Sequence, residues 1–478
     1  MGATMRTGRR RAGALSSALA FAAALALAGF AAPAGLGAQE QEIVIDEAAL
    51  FGDEEAGIEE LPESQAGSAV STFLKTEAVR IGGRFTGSAG ADWTMLDPWG
   101  GSPSLDERSF DATANGELFF DARPSEDFRV YGKAKTSYPF TNTQTIGTSS
   151  VSTPNIQVFE LFSDFNWEDR LFLRFGKHTV KWGVGYFWSP ADVINLGRID
   201  PLDPQAQREG PLSLRLHYPV LGTQTNLWGY AVLPAGDDPK PEDIAAAAKL
   251  EFLVAESWEI GLGGYYKYEA PPKVVITATG AIGEVNLFGE GVAGWGRDRK
   301  LVTAINFPAT EILTTEQEEE DIFFSGTAGF SWSHSDSHVT LVGQYYYEGN
   351  SYSDADRDKL IERARFLEPA LTASLGSSAT NGLFKGLVAG SGQHYAAVSL
   401  SKSELLVEDL GFSVFAMANL SDLSGTVRPS LSYKLFDKAN VELSAAFAFG
   451  DEDGEYVVLA DGTALTLGFK ASLGSGSF

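Results

Sequence analysis

Five histidines are all that the 478-residue chain offers to a metal or a base. His334 and His338 bracket Ser-Asp-Ser. On a helix that spacing would bring two imidazoles to one zinc ion, but this stretch reads as a hairpin turn. His217 stands near Ser213, and His394 near Ser391. Nucleophilic catalysis needs base and nucleophile in hydrogen-bond contact beside an oxyanion hole, and nothing in the spacing supplies one. Asp451-Glu452-Asp453-Gly454-Glu455 offers carboxylates to calcium but lacks the alternating ligand pattern, so it reads as a solvated acidic turn. Gly289-Glu290-Gly291 is no phosphate loop, because no Lys-Ser/Thr pair and helix follow it. The expectation is therefore a chain with no catalytic residues, no metal site and no cofactor.

The chemistry-rich stretch is Arg174–Pro190 with the loop beyond it, which carries Lys177, Lys181, Asp192, Arg198, Asp200, Asp203, Arg208 and Glu209. A long loop that leaves a strand and folds inward narrows a pore and sets charges where ions must pass. These eight residues of mixed sign are the pore-constriction candidates. Lys177 and Lys181, opposite His178 and Val180 on a continuing strand, are candidates to face a lumen. The competing placement is an external loop, in which Pro and Asp make turns and water solvates the charges.

Such a loop needs a wall, and the wall is legible from Val79 onward as period-two patterning. Phe128, Val130, Gly132, Ala134, Thr136 and Tyr138 share one face, with Arg129, Lys133 and Lys135 opposite. Ile260–Tyr268, Val339–Tyr347 and Val441–Phe449 alternate in the same way. Runs this long exceed a soluble strand of about five or six residues. They match the roughly 9–11 residues of a tilted strand crossing a bilayer. Tight polar turns at Ala122–Asp127, Trp167–Arg170, Pro219–Gly222, Ala255–Trp258, His334–His338, Val407–Gly411 and Phe436–Asn440 alternate with longer links. Those links are Thr94–Ser109, Phe140–Asn155, Phe187–Gly210, Pro234–Asp243 and Asn350–Gly392. Short turns on one side and long loops on the other predict an all-β, single transmembrane antiparallel barrel of roughly 16–18 strands, even in number. Lys273–Asp321 is the hardest stretch to divide. Asp354–Leu371 has helical spacing, with Leu360, Ile361, Ala364 and Leu367 on one side.

Composition agrees. Aromatics are 12%, glycines number 52 and cysteines are absent, as suits a wall that closes its own hydrogen-bond ladder. Beyond the first forty residues no apolar run approaches the ~20 residues of a spanning helix. A net charge of −27 argues against nucleic acid. At the start, Arg9-Arg10-Arg11, the Ala-rich Ala14–Ala32 and the small residues Ala34 and Gly37-Ala38 read as a cleaved secretory signal over 1–38. Residues 39–77 are rich in acid without a base until Lys75, and read as a flexible periplasmic segment. The barrel is assigned to 78–478.

The run Arg174-Phe175-Gly176-Lys177-His178-Thr179-Val180-Lys181-Trp182-Gly183, continuing to the Pro-Asp-rich loop around Asp200-Pro201 and Asp203-Pro204, resembles a segment of porin-like bacterial outer-membrane β-barrel proteins. The resemblance covers about forty residues. It implies a channel-like fold in the bacterial outer membrane, and no particular substrate. The final strand, with Leu465, Leu467, Phe469, Ala471 and Leu473 before Phe478, is similar to those that the barrel-assembly machinery reads. Phe478 is out of phase with that alternation, and a bulge at Gly474-Ser475-Gly476 would restore it. The expected activity is diffusion of small solutes through the lumen, with lipid around the barrel and a homo-oligomer as one assembly. A surface receptor or adhesin acting through its loops, and a plugged transporter of hydrophobic substrates, are the alternatives.

Overall fold

The computed structural model describes residues 79–96, 98, 104–140, 155–234, 240–255, 257–308 and 312–477. The expectations for 1–38, for 39–77 and for Phe478 lie outside them. The strands run β1 (Val79–Leu96), β2 (Ser104–Ser125), β3 (Phe128–Pro139), β4 (Asn155–Trp167), β5 (Leu171–Lys177), β6 (Leu212–Val220) and β7 (Thr225–Val232). They continue as β8 (Ala245–Val254), β9 (Trp258–Tyr266), β10 (Lys273–Ile282), β11 (Val285–Trp295), β12 (Leu301–Ile305), β13 (Leu313–Glu316) and β14 (Ile322–His334). The last are β15 (Val339–Glu348), β16 (His394–Lys402), β17 (Leu410–Asn419), β18 (Ser424–Phe436), β19 (Ala439–Phe449) and β20 (Ala464–Ser477).

Eighteen of these form one sheet, each strand pairing antiparallel with the next. β1 pairs with both β2 and β20, so the sheet closes into a barrel. Closure removes the unpaired edges that hydrocarbon would leave unsatisfied. β12 and β13 form a separate hairpin within the β11–β14 connection. Lys273–Asp321 thus divides into two wall strands and this hairpin. Near the end of the chain, Phe85 and Gly87 of β1 face Gly476 and Leu473 of β20. That is one extra residue on β20, the bulge expected at Gly474–Gly476.

Strand alternation sorts the side chains. Phe85, Leu118, Phe175, Leu216, Leu262, Val274, Phe324 and Leu443 are exposed on the outer wall, as lipid requires. On the inner wall Asp121, Arg215, Lys249, Glu290 and Gln344 are buried. Each aromatic pair at a strand end is therefore split: Tyr345 turns outward while Tyr346 turns in, stacked on Trp188.

At the long-loop rim three connections pack into one outer unit. The β15–β16 connection carries α1 (Asp354–Leu375) and α2 (Ser377–Val388), and the β19–β20 connection carries α3 (Glu455–Leu459). Ser353 caps α1 by accepting the Asp356 N–H. The apolar side of α1, with Leu360, Ile361, Ala364 and Leu371, packs on Ile305 of β12 and Val458 of α3. Arg357 fastens the unit to the barrel, bonding Ser391 at 2.9 Å and Asp422 at 2.7 Å. Glu455 accepts from Gly390 N–H, Tyr395 hydroxyl and Asn419 amide. Burial pushes its carboxyl above the ordinary range, and those donors pull the other way. The acidic run at 451–455 is thus built into this unit rather than simply solvated.

Candidate functional site

β5 ends at Lys177, so Lys181 is not on a strand; it belongs to the connection 178–211. Gly176, at φ +140°, marks the departure, and a Cβ there would strike the Leu161 carbonyl and the Phe162 backbone. Strand parity also places Lys177 with Phe175 on the outer face. Its ammonium reaches over the rim to the Val158 carbonyl at 2.8 Å and Glu209 at 2.5 Å. The two legs of the connection are joined by His178 N–H to the Pro211 carbonyl and Leu196 N–H to the Glu209 carbonyl. Arg208 pairs with Asp192, which also accepts from the Asn195 amide at 3.0 Å. Burial lowers the Arg208 guanidinium, and the charge of Glu290 opposes that shift.

The connection folds into the lumen. Val180, Trp182, Phe187 and Ala191 are almost wholly buried. Trp182 offers its carbonyl to Lys249 of β8 at 2.8 Å. Val184, Gly185 and Ala191 N–H groups and the Ser189 hydroxyl all donate to the carboxylate of Glu290 on β11. Tyr186, Phe187 and Trp188 N–H groups converge on the Gln344 carbonyl oxygen of β15, at 3.1, 2.6 and 3.4 Å. Phe187 packs against Phe415 of β17. On the near side Gln207 reaches Lys133 of β3 and Glu209 reaches Gln157 of β4. A connection that starts between β5 and β6 thus crosses almost to the opposite wall. Arg198, Asp200 and Asp203 remain exposed at its tip, where Leu202 N–H caps the Asp200 carboxylate at 2.9 Å.

Two rows of inward residues follow from the register. One runs Arg129, Asp164, Arg174, Arg215, Tyr230, Ala247, Tyr265, Lys273 across β3 to β10. Asp164 holds Arg174 at 2.6 Å and lies 3.8 Å from Arg129, which bonds Asp121 at 2.8 Å. The other runs Ser333, Thr340, Ser401, Ser413, Ser430, Ser444, Gly468, Asp92, Ser109 across β14 to β2. Ser413 and Ser430 hydroxyls meet at 2.8 Å. Because strands tilt by ~35–45° and lie ~4.8 Å apart, eight steps along such a row climb roughly 25 Å. Each row is therefore a ramp from the short-turn rim to the long-loop rim, one charged and one hydroxylated.

Sequence reasoning passed over Glu290 and Gln344. Their only signal is a polar residue at an inward position of an otherwise small or apolar strand. Two of the histidines are engaged elsewhere: His217 stacks on Trp228 with centroids 3.8 Å apart, and His394 meets the Tyr345 hydroxyl at 2.6 Å. His334 and His338 sit in a hairpin turn, as their spacing with Ser-Asp-Ser indicated. Among the described residues no group of three or more side chains is disposed to hold a metal.

No protein-family model matches the chain, and no curated protein matches it. Solved structures similar to it include Acinetobacter baumannii OccAB1, at 9% identity and TM-score 0.47 over 83% of this chain and 97% of that one. Pseudomonas aeruginosa OccK8 (OprE) gives 9% and 0.46, over 83% and 98%. The Pseudomonas aeruginosa outer membrane protein opdK gives 9% and 0.44, over 83% and 99%. These are distant likenesses, and the geometry of the chain stands without them. The chain forms a closed 18-stranded antiparallel β-barrel, apolar outside and polar within, as a wall that spans a membrane must be.

Proposed function

We propose that the protein is an outer-membrane channel through which small polar solutes diffuse, and that residues 178–211 are its constriction. One observation carries this reading: the connection leaves the wall at Lys177 and is tied to Glu290 and Gln344 across the lumen. Selectivity then comes from the gap beside it and the charges lining that gap, with no covalent step. Arg198, Asp200 and Asp203 are the constriction charges presented to solutes. Asp192, Arg208, Lys177 and Glu209 pair among themselves and hold the shape, and Lys181 belongs to the same connection. Lipid surrounds the outer wall, and no enzymatic activity is assigned.

The test is single-channel recording of the protein in planar bilayers, after a heat-dependent gel shift has confirmed folding. Discrete conductance steps are expected. Arg198→Glu should move the reversal potential in a salt gradient toward cation preference while leaving the gel shift unchanged. A folded barrel without conductance would sink the channel reading. It would favour a receptor acting through the outer unit, whose shared core of α1, α2 and α3 is the observation behind that second reading. Deleting 354–388 would then abolish ligand binding, whereas a channel would keep its constriction.

A further inference from the structure

Glu290 is held in an unusual way for a lumen carboxylate. Three backbone N–H groups and one hydroxyl from a single stretch, Val184–Ala191, surround it. The residue is 7% exposed. Consecutive N–H groups aimed at one point form a nest, a geometry that concentrates partial positive charge and selects an anion. The stretch is shaped closely around its occupant, since a Cβ on Gly183 would meet both the Ser189 hydroxyl and Glu290 Oε1.

We propose that Val184–Ala191 is a carboxylate-binding nest borne by the constriction, and that Glu290 is the wall-borne ligand that positions the constriction by filling it. This rests on the channel reading for its functional meaning, but the nest itself is a separate claim. Glu290→Ala removes Cγ, Cδ and both oxygens, the same heavy atoms as acetate. The hole left behind fits that free anion and exposes the same donors to it.

The experiment uses full-length protein refolded and checked by gel shift. Two quantities are read: single-channel conductance with its open-state noise, and the rate of tryptic cleavage after the exposed Arg198. Relative to wild type, Glu290→Ala should conduct more, with noisier open states, and should be cleaved roughly tenfold faster or more. Sodium acetate should return both quantities toward wild type, while sodium chloride at equal ionic strength should not. Gln344→Ala also frees one side of the connection but leaves no carboxylate-shaped hole, so acetate should not rescue it.

Acetate rescue specific to Glu290→Ala supports the nest. A Glu290→Ala protein that behaves as wild type, or whose changes acetate and chloride affect equally, overturns it. If wild type fails to conduct, the channel reading falls, while the cleavage assay still decides the nest. Should Glu290→Ala fail to fold, Ser189→Ala keeps the question open to measurement. Losing the Ser189 hydroxyl donor to Glu290 Oε1 should speed cleavage, and an unchanged rate would count against the nest.

Discussion

Gly183 lies where the constriction turns against the wall, and its hydrogen is all that fits between Ser189 and Glu290. Adding one methyl group to a close-packed site typically costs about 1–3 kcal/mol. Gly183→Ala should therefore shift the constriction off Glu290 and raise conductance and current noise, with the gel shift retained. Unchanged conductance would mean that the stretch relaxes without moving the pore. At this scale the sequence showed which residues had chemistry and not which would meet. Arg174 through Glu209 stood out by charge, and seven of its eight candidates lie in the inward connection. Lys177 was read as facing the lumen, yet it shares the parity of Phe175 on β5 and so falls on the outer face. Glu290 was invisible as a ligand, since its donors, three backbone N–H groups and one hydroxyl, come from residues about a hundred positions away.

The strands were the most legible elements, because alternation reports the two faces of a wall directly. The long face of β9 shows what that alternation must satisfy: Leu262 is mid-strand and outward. An arginine at the bilayer midplane of a barrel costs about 2–4 kcal/mol, falling to ~0–1 kcal/mol near the interface. Leu262→Arg should thus lower stability measured by reversible refolding into bilayers by about that amount. Ile282→Arg, at the turn end of β10, should cost far less; equal penalties would contradict the assigned membrane depth. The helix at 354 was also readable from its apolar spacing. Its partners were not, because Ile305 and Val458 come from other connections, and sequence patterning is blind to such packing.

At the scale of the whole molecule, the sorting of short and long connections follows from turn chemistry. The lateral register does not, since sliding one strand by two residues preserves every face. It is the register that turns Ser333–Ser109 into a ramp, and the ramp has an experimental use. The protein contains no cysteine, so a single one placed at each hydroxyl position would be the sole thiol of the barrel. Reaction with a membrane-impermeant thiol reagent added from the short-turn side should slow in order along Thr340, Ser413, Ser444 and Ser109; added from the other side, the order should reverse. The two series would read the pore like a screw thread, each step a known depth. The position where the rates fall abruptly from both ends would mark the height of the narrowest ring, without any solute having been identified.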